Sequence, residues 1–219
     1  NMRASLRYYE RRSHNEKLTN AIKEISEIME KVKKANSVSA LMIYEAQARQ
    51  LYYHCFNIIM GGEKFKFVKR TRRPPQDPLN AMISLGNTLL YTRFANEIYQ
   101  SRLDIRFGIL HSSVRRQESL NLDLADLFKP MLVDRTIFTL VNRSMINEIS
   151  DFEELEMGGV YMNYLGKQIF IREFENKLSQ IVTIKNTKVS YGNLIHKEVK
   201  KVEDYFRKDI PYKPYKYVN

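Results

Sequence analysis

The chain has 219 residues, 43% of them hydrophobic and 28% charged, which is the composition of a folded globular protein rather than a disordered segment. Its 36 Lys and Arg against 25 Asp and Glu leave a net charge of +11, an excess that draws polyanions, either nucleic acid or an anionic membrane surface. A single cysteine, Cys55, excludes an internal disulfide and a thiolate zinc cluster, and with no signal peptide or membrane-length apolar run a cytoplasmic location is expected.

Only 8 Gly and 6 Pro are present, and this economy of chain breakers predicts an all-α fold, since β-rich chains need frequent turn residues. Residues 2–15 and 17–34 read as two basic amphipathic helices, the second with Ile22, Ile25, Met29 and Val32 along one face. Ser37 or Ser39 caps a third helix that runs to about Ile59 and ends at Gly61-Gly62. A basic connector, EKFKFVKRTRRPPQDP, leads to Asp77-Pro78, an N-cap followed by proline at the first helical position. The next helix spans about 79–102. A further helix starts near Glu118, is interrupted near Pro130 and resumes to about Arg143. Segments 151–155 with 163–182, and 189–208, complete the helical set, and a short hairpin fits within 158–171. The predicted organisation is one helical domain over 1–208 and an irregular, basic and aromatic tail over 209–219. The helical start NMRASLRYYERR gives the expectation of a fragment whose earlier part is missing.

Several side chains could carry chemistry. Asp123 and Asp126 stand three apart, on one face of a helix. Acids near a helix start commonly do no more than complement its dipole. Here they sit among Leu120, Leu122, Leu124, Leu127 and Phe128, with Arg115 and Arg116 nearby to suit a phosphate. His111 lies where an apolar segment meets a loop, a fitting but common place for a site residue. Glu45 borders the apolar face of its helix one turn before Arg49, so an ordinary Glu–Arg pair competes with a functional role. In the connector, Lys64, Lys66, Lys69, Arg70, Arg72 and Arg73 alternate with Phe65 and Phe67. Cations neutralise phosphates and aromatic faces can stack on unpaired bases, so nucleic-acid contact is expected there. Cys55 beside His54 has no third partner for nucleophilic chemistry, His14 and His196 fall in charged helices, and no nucleotide-binding fingerprint is present.

Four segments together resemble the Cas1 family of CRISPR adaptation integrases and endonucleases. RRPPQDPLNAMISLGNTLL (72–90) is similar to the family's Arg-Arg-Pro-Pro-x-Asp-Pro-x-Asn signature, with Asn80 in the Asn position. GILH (108–111) resembles its Gly-x-x-His step, and SLNLDLADLFKP (119–130) its Leu-Asp-Leu-x-Glu/Asp-x-Phe-Arg/Lys-Pro segment. YEAQARQLYY (44–53) resembles the segment carrying the first metal-binding glutamate. Ala46 departs from the family's usual Gly after that glutamate, and Asn87 replaces an aromatic.

The resemblance implies metal ligation by Glu45, His111 and Asp126, with Asp123 an accessory acid and Lys129 and Asn80 in the set that meets DNA. It implies the helical catalytic lobe without the family's N-terminal β-sandwich. DNA and the small adaptation protein Cas2 are the implied partners, and homodimerisation is in question without the sandwich. Two carboxylates and one imidazole suit Mg²⁺ or Mn²⁺. The implied reaction is insertion of spacer DNA by attack of a 3′-hydroxyl on a phosphodiester, or cleavage when water attacks. A helical DNA-binding or scaffolding module without catalysis is the alternative, and a helical protein that binds only an acidic partner is a third reading.

Overall fold

The computed structural model describes residues 1–62, 64–110, 118–156, 158–184 and 186–217. Helices dominate: α1 (Met2–Ser13), α2 (Glu16–Val32), α3 (Val38–His54), the short α4 (Phe56–Ile59), α5 (Pro78–Tyr99), α6 (Leu120–Asp126), α7 (Arg135–Asn142), α8 (Tyr164–Ser179) and α9 (Tyr191–Lys208). A π-helical stretch, Pro130–Asp134, leads into α7. The starts follow local rules. Asn15, Ser37, Asp77, Asn163 and Ser190 each accept a hydrogen bond from a backbone N–H in the first turn of the helix they precede.

The interior is organised around α5. Leu79, Met82, Ile83, Leu90, Phe94 and Ile98 are fully buried along it, and it packs against α6, α9 and the π stretch. Gly86 makes the closest of these approaches, because a Cβ there would fall 2.5 Å from Val133 and 3.0 Å from Phe170. On the other side α2 packs against both α1 and α3. Tyr53, Phe56, Phe67 and Phe138 join these layers edge-on or tilted, with ring centroids 4.7–6.2 Å apart.

Two antiparallel hairpins interrupt the helical order, and both correct the sequence reading. The segment 151–155, expected as helix, contains β1 (Phe152–Glu154), which pairs with β2 (Val160–Met162). The predicted hairpin therefore begins earlier than 158 and gives way to α8 at Tyr164. The second hairpin joins β3 (Ile181–Ile184) to β4 (Thr187–Ser190), where helices had been expected up to 182 and from 189. Its β-branched run, IVTI followed by TKVS, favours a pleated surface over a helical one.

The tail after α9 is irregular in backbone but packs onto the body. Tyr215 stacks on Phe128 at 5.1 Å, and its N–H donates to Glu198 Oε1 at 3.0 Å. Tyr212 donates its hydroxyl to the same oxygen at 2.6 Å, and Lys201 Nζ donates to the other carboxylate oxygen at 2.7 Å. Asn1 joins the tail to α6, donating to Leu127 O and accepting from Tyr217 N. Glu198 is thus a fully buried anchor whose bonds hold the tail down. Glu198→Ala is expected to take the acceptor from all three donors and cost about 3 kcal/mol. Trypsin should then cut after Lys216 well before the body is digested. Equal protection of Lys216 in the variant and the unaltered protein would show that Glu198 does not secure the tail.

Candidate active site

The candidate site forms where α3 meets the end of α6. Glu45 lies on α3, half-buried, and its carboxylate pairs with Arg49 one turn later. The same guanidinium nitrogen, Arg49 Nη2, lies 3.1 Å from Asp126 Oδ2 at the end of α6. Carboxylates from two distant segments therefore converge on a single cationic atom. The local Glu45–Arg49 pair anticipated from spacing is present, but it is one half of a bridge. Burial pulls the Arg49 pKa down, and the charges of Asp126, Tyr53 and Glu45 outweigh it, so the guanidinium is held well above its ordinary range.

Asp126 also pairs with Lys129, three residues on. Lys129 is only 8% exposed. Its ammonium donates to Tyr91 Oη at 2.7 Å from α5 and sits 4.8 Å from that ring's centroid. Pro130 follows with no N–H to return to the carbonyl of Asp126, and the backbone passes into the π stretch.

That stretch buries Asp134, which is 3% exposed and lines a cavity of about 30 Å³ with Arg49, Tyr52, Asp126 and Lys129. Burial pushes its pKa up to about 7, against the opposing hydrogen bond from Tyr52 and the charges of Arg49, Lys129 and Arg70. The sequence reading had no place for Asp134. The available signal was a lone acid in the apolar run PMLVDRTIF.

Asp123 occupies a different position from Asp126. Its Oδ2 accepts from the backbone N–H groups of Ile109 and Leu110, the latter at 2.9 Å. Ser119 Oγ accepts from Gly108 N at 2.8 Å and donates to Arg106 O at 2.7 Å. Gly108 tolerates no side chain, because a Cβ would lie 2.7 Å from Ser119 Oγ and 3.0 Å from Asp123 Oδ2. The start of α6 thus clamps the segment that leads directly into His111. His111, Arg115 and Arg116 themselves lie outside the described residues.

The basic connector separates into two sets of side chains. Lys64, Lys66, Lys69, Arg72 and Arg73 are exposed. Phe65 and Phe67 are 2% and 6% exposed and pack on Phe152 and on Tyr53 and Phe56, so the expectation that they stack on bases is corrected: they anchor the connector to the core. Arg70 turns inward, donating to Asn80 Oδ1 at 2.7 Å and to Ser84 Oγ at 3.0 Å. Asn80 is 0% exposed. It also accepts from Thr71 N at 3.1 Å and donates to Lys69 O at 2.8 Å and Asp77 Oδ2 at 2.6 Å. Its place is that of an internal clamp on the connector, not of a surface contact. Hairpin β1–β2 holds the following turn, with Val160 N donating to Pro75 O at 2.8 Å.

The profile of the family described as CRISPR associated protein Cas1 matches residues 1–176 of this chain. The chain belongs to the Cas1 family. A CRISPR-associated endonuclease Cas1 of Thermodesulfovibrio yellowstonii is 37% identical over 217 residues, covering 98% of this chain and 64% of that protein. A Cas1 endonuclease of Clostridium perfringens is 40% identical over 209 residues, covering 94% of this chain and 63% of its own length. The chain therefore spans a little under two thirds of these Cas1 relatives. The solved structure of a Cas1 protein from Thermotoga maritima superposes with a TM-score of 0.81 at 37% identity, over 93% of this chain and 61% of the other. The fold is also shared with a casposase bound to integration product, at a TM-score of 0.83 and 21% identity over 98% of this chain and 60% of that one.

The donor set can be weighed for a hard divalent cation. Among the described residues no three His, Cys, Asp or Glu side chains gather as a metal group. Glu45 and Asp126 supply two carboxylates that already share one positive centre, which fits a cation demanding oxygen ligands. Removing the shared charge should expose their mutual repulsion. Arg49→Met is expected to lower stability by about 2 kcal/mol in metal-free buffer, and added Mn²⁺ should raise its melting temperature more than that of the unaltered protein. A variant that gains nothing from Mn²⁺ would show that the two carboxylates cannot share an ion.

Asp134 yields a second prediction. Its folded pKa lies above its ordinary value of 3.8, so the folded protein holds this proton more tightly than the unfolded chain. The stability linked to neutral Asp134 is complete below about pH 4 and is lost as pH rises through about 7. Asp134→Asn should flatten the fall in melting temperature across that window. Parallel curves for the two proteins would remove Asp134 as the source.

Proposed function

We propose that this chain is the catalytic lobe of a divalent-metal-dependent DNA endonuclease and integrase of CRISPR adaptation. The observation that carries the reading is the convergence of Glu45 and Asp126 on Arg49 Nη2, at a family position where two acids and a histidine are the proposed ligands. Glu45, Asp126 and His111 would hold Mg²⁺ or Mn²⁺. When bound, the ion would polarise the scissile phosphodiester and ease ionisation of the attacking water or 3′-hydroxyl.

The chain's own groups prepare that chemistry. Arg49 pairs with both carboxylates and draws them towards one point before an ion arrives. Asp123 and Ser119 hold the backbone at Gly108 and Leu110, the residues that precede the proposed ligand His111 in the chain. Lys129, fixed between Asp126 and Tyr91, places a positive charge beside the reacting phosphate. Lys64, Lys66, Lys69, Arg72 and Arg73 project from the anchored connector to neutralise the DNA backbone, with Arg115 and Arg116 as further proposed contacts. Such contacts position the duplex and carry little sequence information. Assembly with Cas2 and pairing with a second copy belong to the same proposal, as properties of the longer relatives.

Glu45→Ala, His111→Ala and Asp126→Ala should each reduce Mn²⁺-dependent cleavage of branched DNA by at least the roughly 10–100-fold that losing even an outer partner costs at a metal site. Their far-ultraviolet spectra should stay those of the folded protein. Full activity in all three variants would exclude these residues as the metal site, and absence of any Mn²⁺-dependent cleavage by the unaltered protein would leave a non-catalytic DNA-binding module.

A further inference from the structure

A groove of about 640 Å³ opens between α1, α7 and α8, and it shares no lining residue with the cavity at Arg49, Asp126 and Asp134. Four cations line it: Arg12 from α1, Arg135 at the start of α7, Arg143 just after α7, and Lys177 from α8. Among the described residues none of the four makes an ion pair with a carboxylate, and Glu173 is the one acid in the lining.

Three of the cations, Arg12, Arg135 and Lys177, are held in place by neutral groups instead. The guanidinium carbons of Arg12 and Arg135 lie 4.3 Å and 4.4 Å from the centroid of the Tyr8 ring. Arg135 also donates to Tyr217 Oη at 2.8 Å, and Lys177 donates to Gln180 Oε1 at 2.6 Å. Lys177 is 9% exposed, and its pKa is pushed down to about 8 by burial, then by the neighbouring charges of Arg135 and Arg143, with Glu173 as partial relief. Positive charges have thus been oriented in advance and left without counter-charge, an arrangement that an anion would relieve.

We propose that this groove is a second nucleic-acid site, in which Arg12, Arg135, Arg143 and Lys177 hold consecutive phosphates of a DNA strand away from the catalytic residues. Tyr8 is already taken up by two guanidiniums, so the groove reads backbone and not bases. The spread of four cations over three segments, in a chain of net charge +11, suits a polynucleotide better than one free phosphate. The proposal rests on DNA being the substrate of the active site.

The test is the salt dependence of binding to a labelled DNA duplex, followed by fluorescence anisotropy. Three proteins are compared: the unaltered chain, the double variant Arg12→Gln/Arg143→Gln, and the control Lys31→Gln/Lys34→Gln, exposed in and just after the last turn of α2. The groove variant should lose about 2 from the slope of log affinity against log salt, close to one for each phosphate contact removed. The control, equal in charge change, should lose less than about half of that. If Arg12→Gln loosens Tyr8 and lowers the melting temperature, Arg143→Gln alone still reads a loss of about 1. Equal slope losses in groove and control variants, with DNA still bound, would overturn the groove and leave the active-site reading intact. No DNA binding by the unaltered chain at low salt would overturn both. A melting-temperature rise with pyrophosphate that only the groove variant lacks, alongside an unchanged DNA slope, would reassign the groove to a free polyphosphate and overturn the proposal.

Discussion

Arg49 lies between two carboxylates contributed by different parts of the chain, and its charge is what lets them face each other. Without a positive centre, Glu45 and Asp126 would repel at short range in a half-buried setting, where charge interactions are stronger than in water. The rest of the site builds outward from that point. Lys129 takes the second oxygen of Asp126, Tyr91 fixes Lys129 from the central helix, and Asp134 with Tyr52 closes the space behind. Cations and anions alternate through this small volume, so altering any one changes the charge felt by its neighbours.

The connector shows how the same fold presents charge outward. Its lysines with Arg72 and Arg73 reach solvent because alternate residues, Phe65 and Phe67, are driven into the core, and because Asn80 spends its amide on the connector's backbone, on Asp77 and on the inward-turned Arg70. A loop with six cations would otherwise repel itself and wander. Here the burial of two aromatic rings and one asparagine fixes where the charges stand, which lowers the entropy lost on meeting a phosphate backbone.

Much of this was legible in the residues, for reasons that can be traced. Helix starts were readable where Ser37 and Asp77 cap them by short-range hydrogen bonds. The break near Pro130 followed from the missing N–H, though not the π geometry that spans it. The two hairpins were missed or misplaced because strands of three or four residues carry too little period to compete with flanking helical patterns. Glu45 and Asp126 stood out as acids beside apolar faces. Their meeting through Arg49 is a tertiary fact, and spacing revealed only its local half. The connector aromatics were misjudged for the same reason: alternation with lysine fits stacking on bases as well as burial, and only the packing of Phe152 and Phe56 decides. Asn80 entered the set that meets DNA through the resemblance of its motif, whereas its amide serves the fold.

The π stretch at Pro130–Asp134 sets the angular phase of everything that follows it. One extra residue in a helical turn carries the later side chains about 100° around the axis relative to an unbroken α-helix. Asp134 thereby turns towards Tyr52 while Arg135, its immediate neighbour, meets Tyr8 on another side. Two surfaces, one of alternating charges and one mainly cationic, are thus indexed to each other by a single turn of backbone, as two cams are set by the key on one shaft.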